Sequence, residues 1–564
     1  MSAVAMRPAG AGMQAAAPAG ETAVGSGWAR LALAHFWVAF AAFGIAALMA
    51  VMQAMSRANA ALPFRSPQIF YLSVTAHGVL MALVFTTFFI MGLGYIIART
   101  SLGRELKSER LGWIGYAVAL LGTVLAAAVI LAGKASVLYT FYPPLRAHPL
   151  FYIGTTLLVV GSWIWCVVVL RCYRAWRRDH PEEPVPIAMH GIIATVIVWL
   201  LATAGVAAEM LFLLIPWSLG LKETVDPVLA RTLFWWFGHP LVYFWLLPAY
   251  ALWYAVLPRT VGGKLFSDPL ARVVFVLFIL FSTPVGLHHQ FMDPGIAGEW
   301  KLAHTLSTYA ILLPSFITAF TVIASLEVAG RLKGATGWFD WIGKLPWRDP
   351  FFASVALAML TFALGGFGGA VNAAFGMNSM VHNTAWVQGH FHLTVGTAVA
   401  LTFMGASYWL LPRLTGRPLR LVSLARVQPY LWFAGMMTFS IVNHATGLMG
   451  MPRRVYDASY GGHPIAQAWQ AWTGLSALGG VILFVSAMSF VLVAGATALT
   501  RQRREPEPIL YAEPLEPLPR RRPVWDRFGL WAAIAIVMVI AAYAYPLWSL
   551  IRMETFGSPG FQPF

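Results

Sequence analysis

The chain has 564 residues, of which 59% are hydrophobic and only 11% charged, at a mean hydropathy of +0.69. That composition excludes a water-soluble multidomain protein and places the chain in the membrane class. The net charge of +16 would suit nucleic acid if it were clustered, but 28 of the 38 Lys and Arg fall in the N-terminal tail and the loops after even-numbered apolar runs. The charge therefore reports membrane topology, and no nucleic-acid partner is expected.

Thirteen apolar runs have spanning length, near 31–55, 69–98, 112–133, 149–170, 188–216, 231–257, 271–290, 302–330, 352–375, 384–411, 427–450, 466–499 and 528–551. They predict an all-α polytopic bundle of about 13 transmembrane helices in a lipid bilayer. Basic loops stay cytoplasmic, so the N-terminus is expected inside and the C-terminus outside. Residues 1–27, rich in Ala and Gly without a continuous apolar stretch, read as a flexible tail rather than a cleaved signal. Residues 28–500 form the expected bundle, 501–526 a Pro- and charge-rich cytoplasmic linker, and 527–564 an additional helix and tail. Cys166 and Cys172 give neither a disulfide framework nor a CxxC motif and read as small buried hydrophobes.

In the second run His77 stands about eight residues inside the outer end. The sixth run places His239 at the same depth and adds Tyr243, Tyr250 and Tyr254. At 100° per residue Tyr243 lies about 40° from His239, and the later tyrosines within about 20° of Tyr243. One stripe of about 22 Å therefore carries an imidazole above three phenols, a metal ligand over a proton ladder. The seventh run ends in STPVGLHHQF, bringing His288 and His289 to the same side, with Pro284 and Gly286 loosening the helix so that adjacent residues can converge. With His239 they make three imidazoles suited to copper, although zinc accepts the same set.

The tenth run carries His390 and His392, about 200° apart around the axis. They cannot share a metal. Two cofactors flanking this helix are expected, with His392 paired with His77 on one haem and His390 alone on another. His35, His190, His304 and His444 have no companion at matching depth and are expected to be structural; His148, His180 and His463 fall in loops. Arg453 and Arg454, on the side where positive charge is scarce, suit haem propionates.

Three of these stretches, ARTLFWWFGHPLVYFWLLPAY, STPVGLHHQFMDPG and VHNTAWVQGHFHL, resemble the copper helix, the double-histidine turn and the haem-bridging helix of the haem–copper oxidase superfamily. The likeness is to subunit I of the B-type (cytochrome ba-like) cytochrome c oxidases and runs from about residue 70 to 500. The resemblance implies His77 and His392 on a low-spin haem b, His390 on a high-spin haem expected to be a-type, and His239, His288 and His289 on copper. It also implies a covalent link between His239 and Tyr243. Leu241 stands where A-type oxidases carry a Glu, so their second proton channel is expected to be absent, leaving a B-type path through Tyr250, Tyr254, Ser267, Ser315 and Thr318.

Asn378 replaces an Asp frequent near the high-spin haem, which turns attention to His382 with a propionate as a proton-loading group. The implied activity is reduction of dioxygen to water, with electrons from cytochrome c through a subunit II that carries a dinuclear copper centre. A small single-helix subunit and a prokaryotic inner (plasma) membrane location are also implied. The rival readings are a nitric oxide reductase of the same superfamily, in which the ligand-helix Tyr is missing, and a non-redox ion transporter.

Overall fold

The computed structural model describes residues 24–59, 66–518, 521–554 and 557–563. Most of the expected N-terminal tail, residues 1–23, lies outside them. Eleven helices among the described residues are long and apolar enough to cross a membrane. With two further helices they are numbered α1 (Gly27–Arg57), α2 (Pro67–Leu102), α3 (Glu109–Leu131), α4 (Pro149–Asp179), α5 (Ile187–Ser218), α6 (Pro227–Thr260), α7 (Asp268–Phe281), α8 (Gly298–Leu332), α9 (Pro350–Ala373), α10 (Ala385–Thr415), α11 (Val422–Leu448), α12 (Pro464–Leu499) and α13 (Phe528–Arg552).

The two additions depart from the expectation of thirteen equivalent spans. The seventh run is a helix of only 14 residues, because Pro284 disfavours helical backbone just before it and the chain continues as a 3₁₀ turn over Gly286–Gln290. The eleventh is long enough, but Arg426, Gln428, Asn443 and His444 make it less apolar than the others.

Local sequence sets the helix starts. Pro stands in the first turn of α2, α4, α6, α7, α9 and α12, where its missing N–H costs nothing. Asp226 caps α6 by accepting from Val228 N at 2.8 Å. That helix is buried along almost its whole length.

Loops after odd-numbered helices gather at one end of the bundle. There Ser558–Pro559 pairs antiparallel with Thr224–Val225 after α5, Phe561 bridges to Leu145 after α3, and Thr384 after α9 bridges to Pro452 after α11. At the other end the segment between α12 and α13 crosses the loops after even-numbered helices. Arg504 N donates to Gly416 O after α10, Leu515 N to Leu265 O after α6, and Val185 N after α4 to Asp526 Oδ2. The linker expected over 501–526 is thus laid against the bundle, its described residues tied to it by backbone bonds.

Candidate metal and cofactor centre

A cavity of about 1020 Å³ runs through the bundle from Arg453 and Arg454 at the odd-loop end to Trp341 and Trp347 in the loop after α8, and all six matching-depth histidines line it. That volume lies at the top of the range for single-ligand pockets, about 300 to 1,000 Å³. Apolar and aromatic side chains make most of its wall, so the few polar groups facing it are informative.

His239 projects from the middle of α6, and the 3₁₀ turn brings His288 and His289 to it. One ring nitrogen from each lies within 4.8 Å of the others, close to the packing that three bonds of about 2.0 Å to one ion require. Nδ1 of His239 faces Nε2 of His289 at 3.0 Å, and its Nε2 faces Tyr243 Oη at 3.0 Å. The convergence of adjacent His288 and His289, awkward on a helix, follows from the tighter turn: their ring centres are 4.2 Å apart with planes inclined by 34°.

Two of the three imidazoles are held from outside the cluster. Trp235 stacks on His289 at 3.6 Å and 5°. Thr308 Oγ1 donates its proton to His304 O, so it accepts from His288 Nδ1 at 2.8 Å, leaving Nε2 of His288 for a ligand. Gly286 has no room for a side chain, since a Cβ would stand 2.3 Å from Trp235 O.

His390 and His392 face opposite sides of α10. His390 Nδ1 donates to Gly365 O of α9 at 2.9 Å. His392 Nδ1 donates to Gln388 O at 2.8 Å, and His77 Nδ1 to Ala46 O of α1 at 3.0 Å. A carbonyl only accepts, so all three rings carry their proton on Nδ1 and leave Nε2 free. His77 and His392 stand with ring planes 3° apart and centres 6.4 Å apart. About 2.0 Å of metal–nitrogen bond on either side, added to the ring radii, fills that spacing. Both helices depart to π-helix here, over Val79–Phe85 in α2 and His392–Val399 in α10, a departure frequent at functional sites.

Positive charge rims the cavity at the odd-loop end. Arg454 reaches Tyr139 Oη at 2.8 Å and Arg453 reaches Asn383 Oδ1 at 2.9 Å. Neither has a carboxylate within ion-pair distance among the described residues. Burial, then the Arg454 charge, pulls the Arg453 guanidinium down to about 10, still fully charged at neutral pH. This rim fits the carboxylates of haem, just as the free Nε2 atoms fit its iron. His382 Nδ1 donates to Asn378 Oδ1 at 3.0 Å, while Asn378 Nδ2 donates to Asn372 O at 2.7 Å. The Asn thus fixes the orientation of the imidazole beside the cavity.

Sequence reasoning overlooked Arg57, whose Nη1 donates to Gln388 Oε1 at 3.0 Å beside the same cavity. It also overlooked Thr308 behind His288. Arg57 carries the signal of a charge at the end of an apolar run; for Thr308 the pairing of two helices had to be known.

The tyrosine stripe is present but not bonded end to end. Tyr254 Oη donates to Thr318 Oγ1 at 2.7 Å. Tyr250 is fully buried and lies toward Ser315 and Thr318, yet its hydroxyl makes no bond of ordinary hydrogen-bond length among the described residues. Ser267 caps α7, accepting from Leu270 N at 3.4 Å.

Fold and site together define an integral membrane protein whose bundle presents a three-histidine metal site and a parallel histidine pair at one depth. The family model described as "Cytochrome C and Quinol oxidase polypeptide I" matches residues 30–482, and the chain belongs to that family. It is 45% identical to cytochrome c oxidase subunit 1 of Thermus thermophilus over 493 residues, 86% of each chain. It is also 28% identical to the heme-copper oxidase subunit I+III of Aeropyrum pernix, over 80% of this chain and 53% of that one. A solved heme-copper terminal oxidase dimer superposes with a TM-score of 0.91 at 37% identity, covering 96% of both chains.

Proposed function

We propose that the chain is the catalytic subunit of a terminal respiratory oxidase that takes electrons from cytochrome c and reduces dioxygen to water, coupled to proton uptake and translocation. The carrying observation is Tyr243 Oη 3.0 Å from Nε2 of His239, whose Nδ1 belongs to the three-imidazole cluster. Haem and copper, when bound, supply the electron transfer and the oxygen chemistry. His77 and His392 hold a low-spin haem b, His390 a high-spin a-type haem, and His239, His288 and His289 the copper. Tyr243 gives a proton and an electron from its phenol at the reacting centre, and the apolar wall excludes bulk water there.

Arg453, Arg454 and His382 bind propionates, and His382 serves as the proton-loading group in place of the Asp that Asn378 replaces. Protons arrive through Ser267, Thr318, Tyr254, Ser315 and Tyr250. A subunit II is implied by the family, and we assign it the dinuclear copper, because Cys166 and Cys172 are both buried in α4. The reading includes a small single-helix subunit, a prokaryotic plasma membrane, an inner N-terminus and an outer C-terminus. In it residues 28–500 are the catalytic bundle and 527–564 an added helix and tail.

Metal analysis with reduced-minus-oxidised spectra tests this. Two haems and one copper in this subunit are expected, with oxygen uptake driven by reduced cytochrome c. Iron in place of copper, with nitric oxide reduction, would install the reductase; a haem-free protein would install the transporter.

A further inference from the structure

The family match ends at residue 482, so α13 lies outside it. This helix nevertheless reaches the metal cluster. Tyr543, 1% exposed, accepts from Gly286 N at 3.1 Å and donates to Thr283 O at 3.3 Å. These two backbone groups flank Pro284, where α7 has ended and the 3₁₀ turn has begun, so neither has a helical partner; Thr283 O also accepts from Val285 N at 2.8 Å, and Gly286 N has the phenol. The Tyr543 ring stacks on Trp236 of α6 at 4.9 Å and 16°, which fixes where its hydroxyl points.

A second tie runs beside the first. His304 of α8 accepts from Leu287 N through Nδ1 at 3.2 Å and donates through Nε2 to Ala542 O of α13 at 3.2 Å. Leu287, Ile296, Val539 and Tyr543 form a small apolar cluster of their own around these bonds. Three of the five positions before His288 are thus tied to α13: Gly286 directly, Leu287 through His304, and Thr283 across the proline.

We infer that Tyr543 is a positioning residue for the metal site: by bonding both sides of the Pro284 break, it holds the turn at the pitch that lets His288 and His289 converge on one ion. A 3₁₀ turn of five residues has poor internal hydrogen bonding. Without the phenol, Gly286 N is a buried donor with no partner and Thr283 O keeps only Val285 N, at 2.8 Å; the turn relaxes to satisfy Gly286 N, carrying the two imidazoles with it.

The inference rests on copper binding by His239, His288 and His289. Metal analysis of the unaltered complex is therefore done first; its failure removes that reading, not the role of Tyr543 in shaping the turn. Tyr543→Phe keeps the stacked ring and removes only the oxygen. In the purified full complex the low-spin haem spectrum should be unchanged. Copper retained against a chelator should weaken about tenfold, within the range for groups that orient ligands, and the infrared band of carbon monoxide photo-transferred to copper should shift or broaden.

Val539→Ala removes packing from the same cluster without touching the turn's backbone and should leave that band in place. His304→Leu should reproduce the Tyr543→Phe effect, and His304→Gln, which keeps an acceptor and a donor, should reverse it. Should Tyr543→Phe fail to assemble, the His304 pair carries the test alone. Unaltered copper retention and infrared band in Tyr543→Phe, or an equal disturbance from Val539→Ala, would overturn the inference.

Discussion

The pair His77 and His392 and the trio His239, His288 and His289 lie at one depth of one bundle but are held by different means. Both members of the pair are locked by Nδ1 to a backbone carbonyl of a continuous helix, with rings parallel to 3°. The trio is gathered from a helix and a non-helical turn, and its nitrogens meet a tyrosine, a threonine and each other. Carbonyls fix a ring and take no part in proton exchange, whereas hydroxyls both accept and donate. The pair is thus held rigidly, without groups that exchange protons, as the proposed electron-transfer role requires, and the trio sits among hydroxyls that can, as proposed for the reacting centre.

The largest expected break in this comparison is His77→Ala, which removes one of the two imidazoles that would hold the low-spin haem and nothing from the trio. The low-spin haem spectrum should vanish while copper stays. Joint loss of copper in a chain that remains folded would mean that the two sites are not independent. Tyr243→Phe acts on the other side. It should preserve both haems and copper yet lower oxygen consumption by about a hundredfold or more, the contribution of a positioned proton donor. Near-normal turnover would return the nitric oxide reductase reading.

A smaller effect is expected from the hydroxyls below. Tyr254→Phe or Thr318→Val deletes one partner of the 2.7 Å bond between them. If that adds about 1.4 to 3 kcal/mol to proton transfer, turnover falls roughly ten- to hundredfold, with spectra intact and initial haem reduction nearly unaffected. Flow-flash kinetics in heavy and light water, with a pH dye, report the uptake directly. Wild-type uptake in both variants would reduce the stripe to an aromatic face.

The comparison also explains what could be read in advance. His390 and His392 were legible because two residues on a helix fix an angle, and the charge asymmetry of the loops was legible because it needs no contacts. The convergence of His288 with His289 was foreseen only as a freedom conferred by Pro284 and Gly286. The groups that use that freedom, Thr308, His304 and Tyr543, come from α8 and α13, up to about 260 positions away. No periodicity encodes which helices become neighbours. The tyrosine stripe was legible as a stripe, but not the gap at Tyr250, because helical angle places side chains without setting hydrogen-bond lengths.

The last prediction concerns the opposite end of α7, the helix that leads into the trio but not the pair. Asp526, fully buried at the foot of α13, accepts from Arg272 Nη1 of α7 at 2.7 Å, from His190 Nδ1 at 3.0 Å and from Val185 N at 2.7 Å. Burial alone would raise its pKa, but the His190 hydrogen bond and the Arg272 charge outweigh it and hold the carboxyl below the usual range. A group whose pKa is lower folded than unfolded stabilises above the unfolded value, about 3.9, and loses that contribution as pH falls through the folded value. The clamp is therefore complete at neutral pH and released only in acid below about pH 4. Asp526→Asn removes the charge at all pH values and leaves Arg272 with Asp268 alone. Breaking a buried pair in this way costs about 3 to 5 kcal/mol. Turnover at room temperature should change least of all the variants, because no proton or electron passes through Asp526. On heating, copper should be lost at a lower temperature than in the unaltered complex, while the low-spin spectrum, held by α1, α2 and α10, survives to nearly the same point. Equal loss of both signals would mean that α7 is not the separately braced element and that pair and trio share one melting unit.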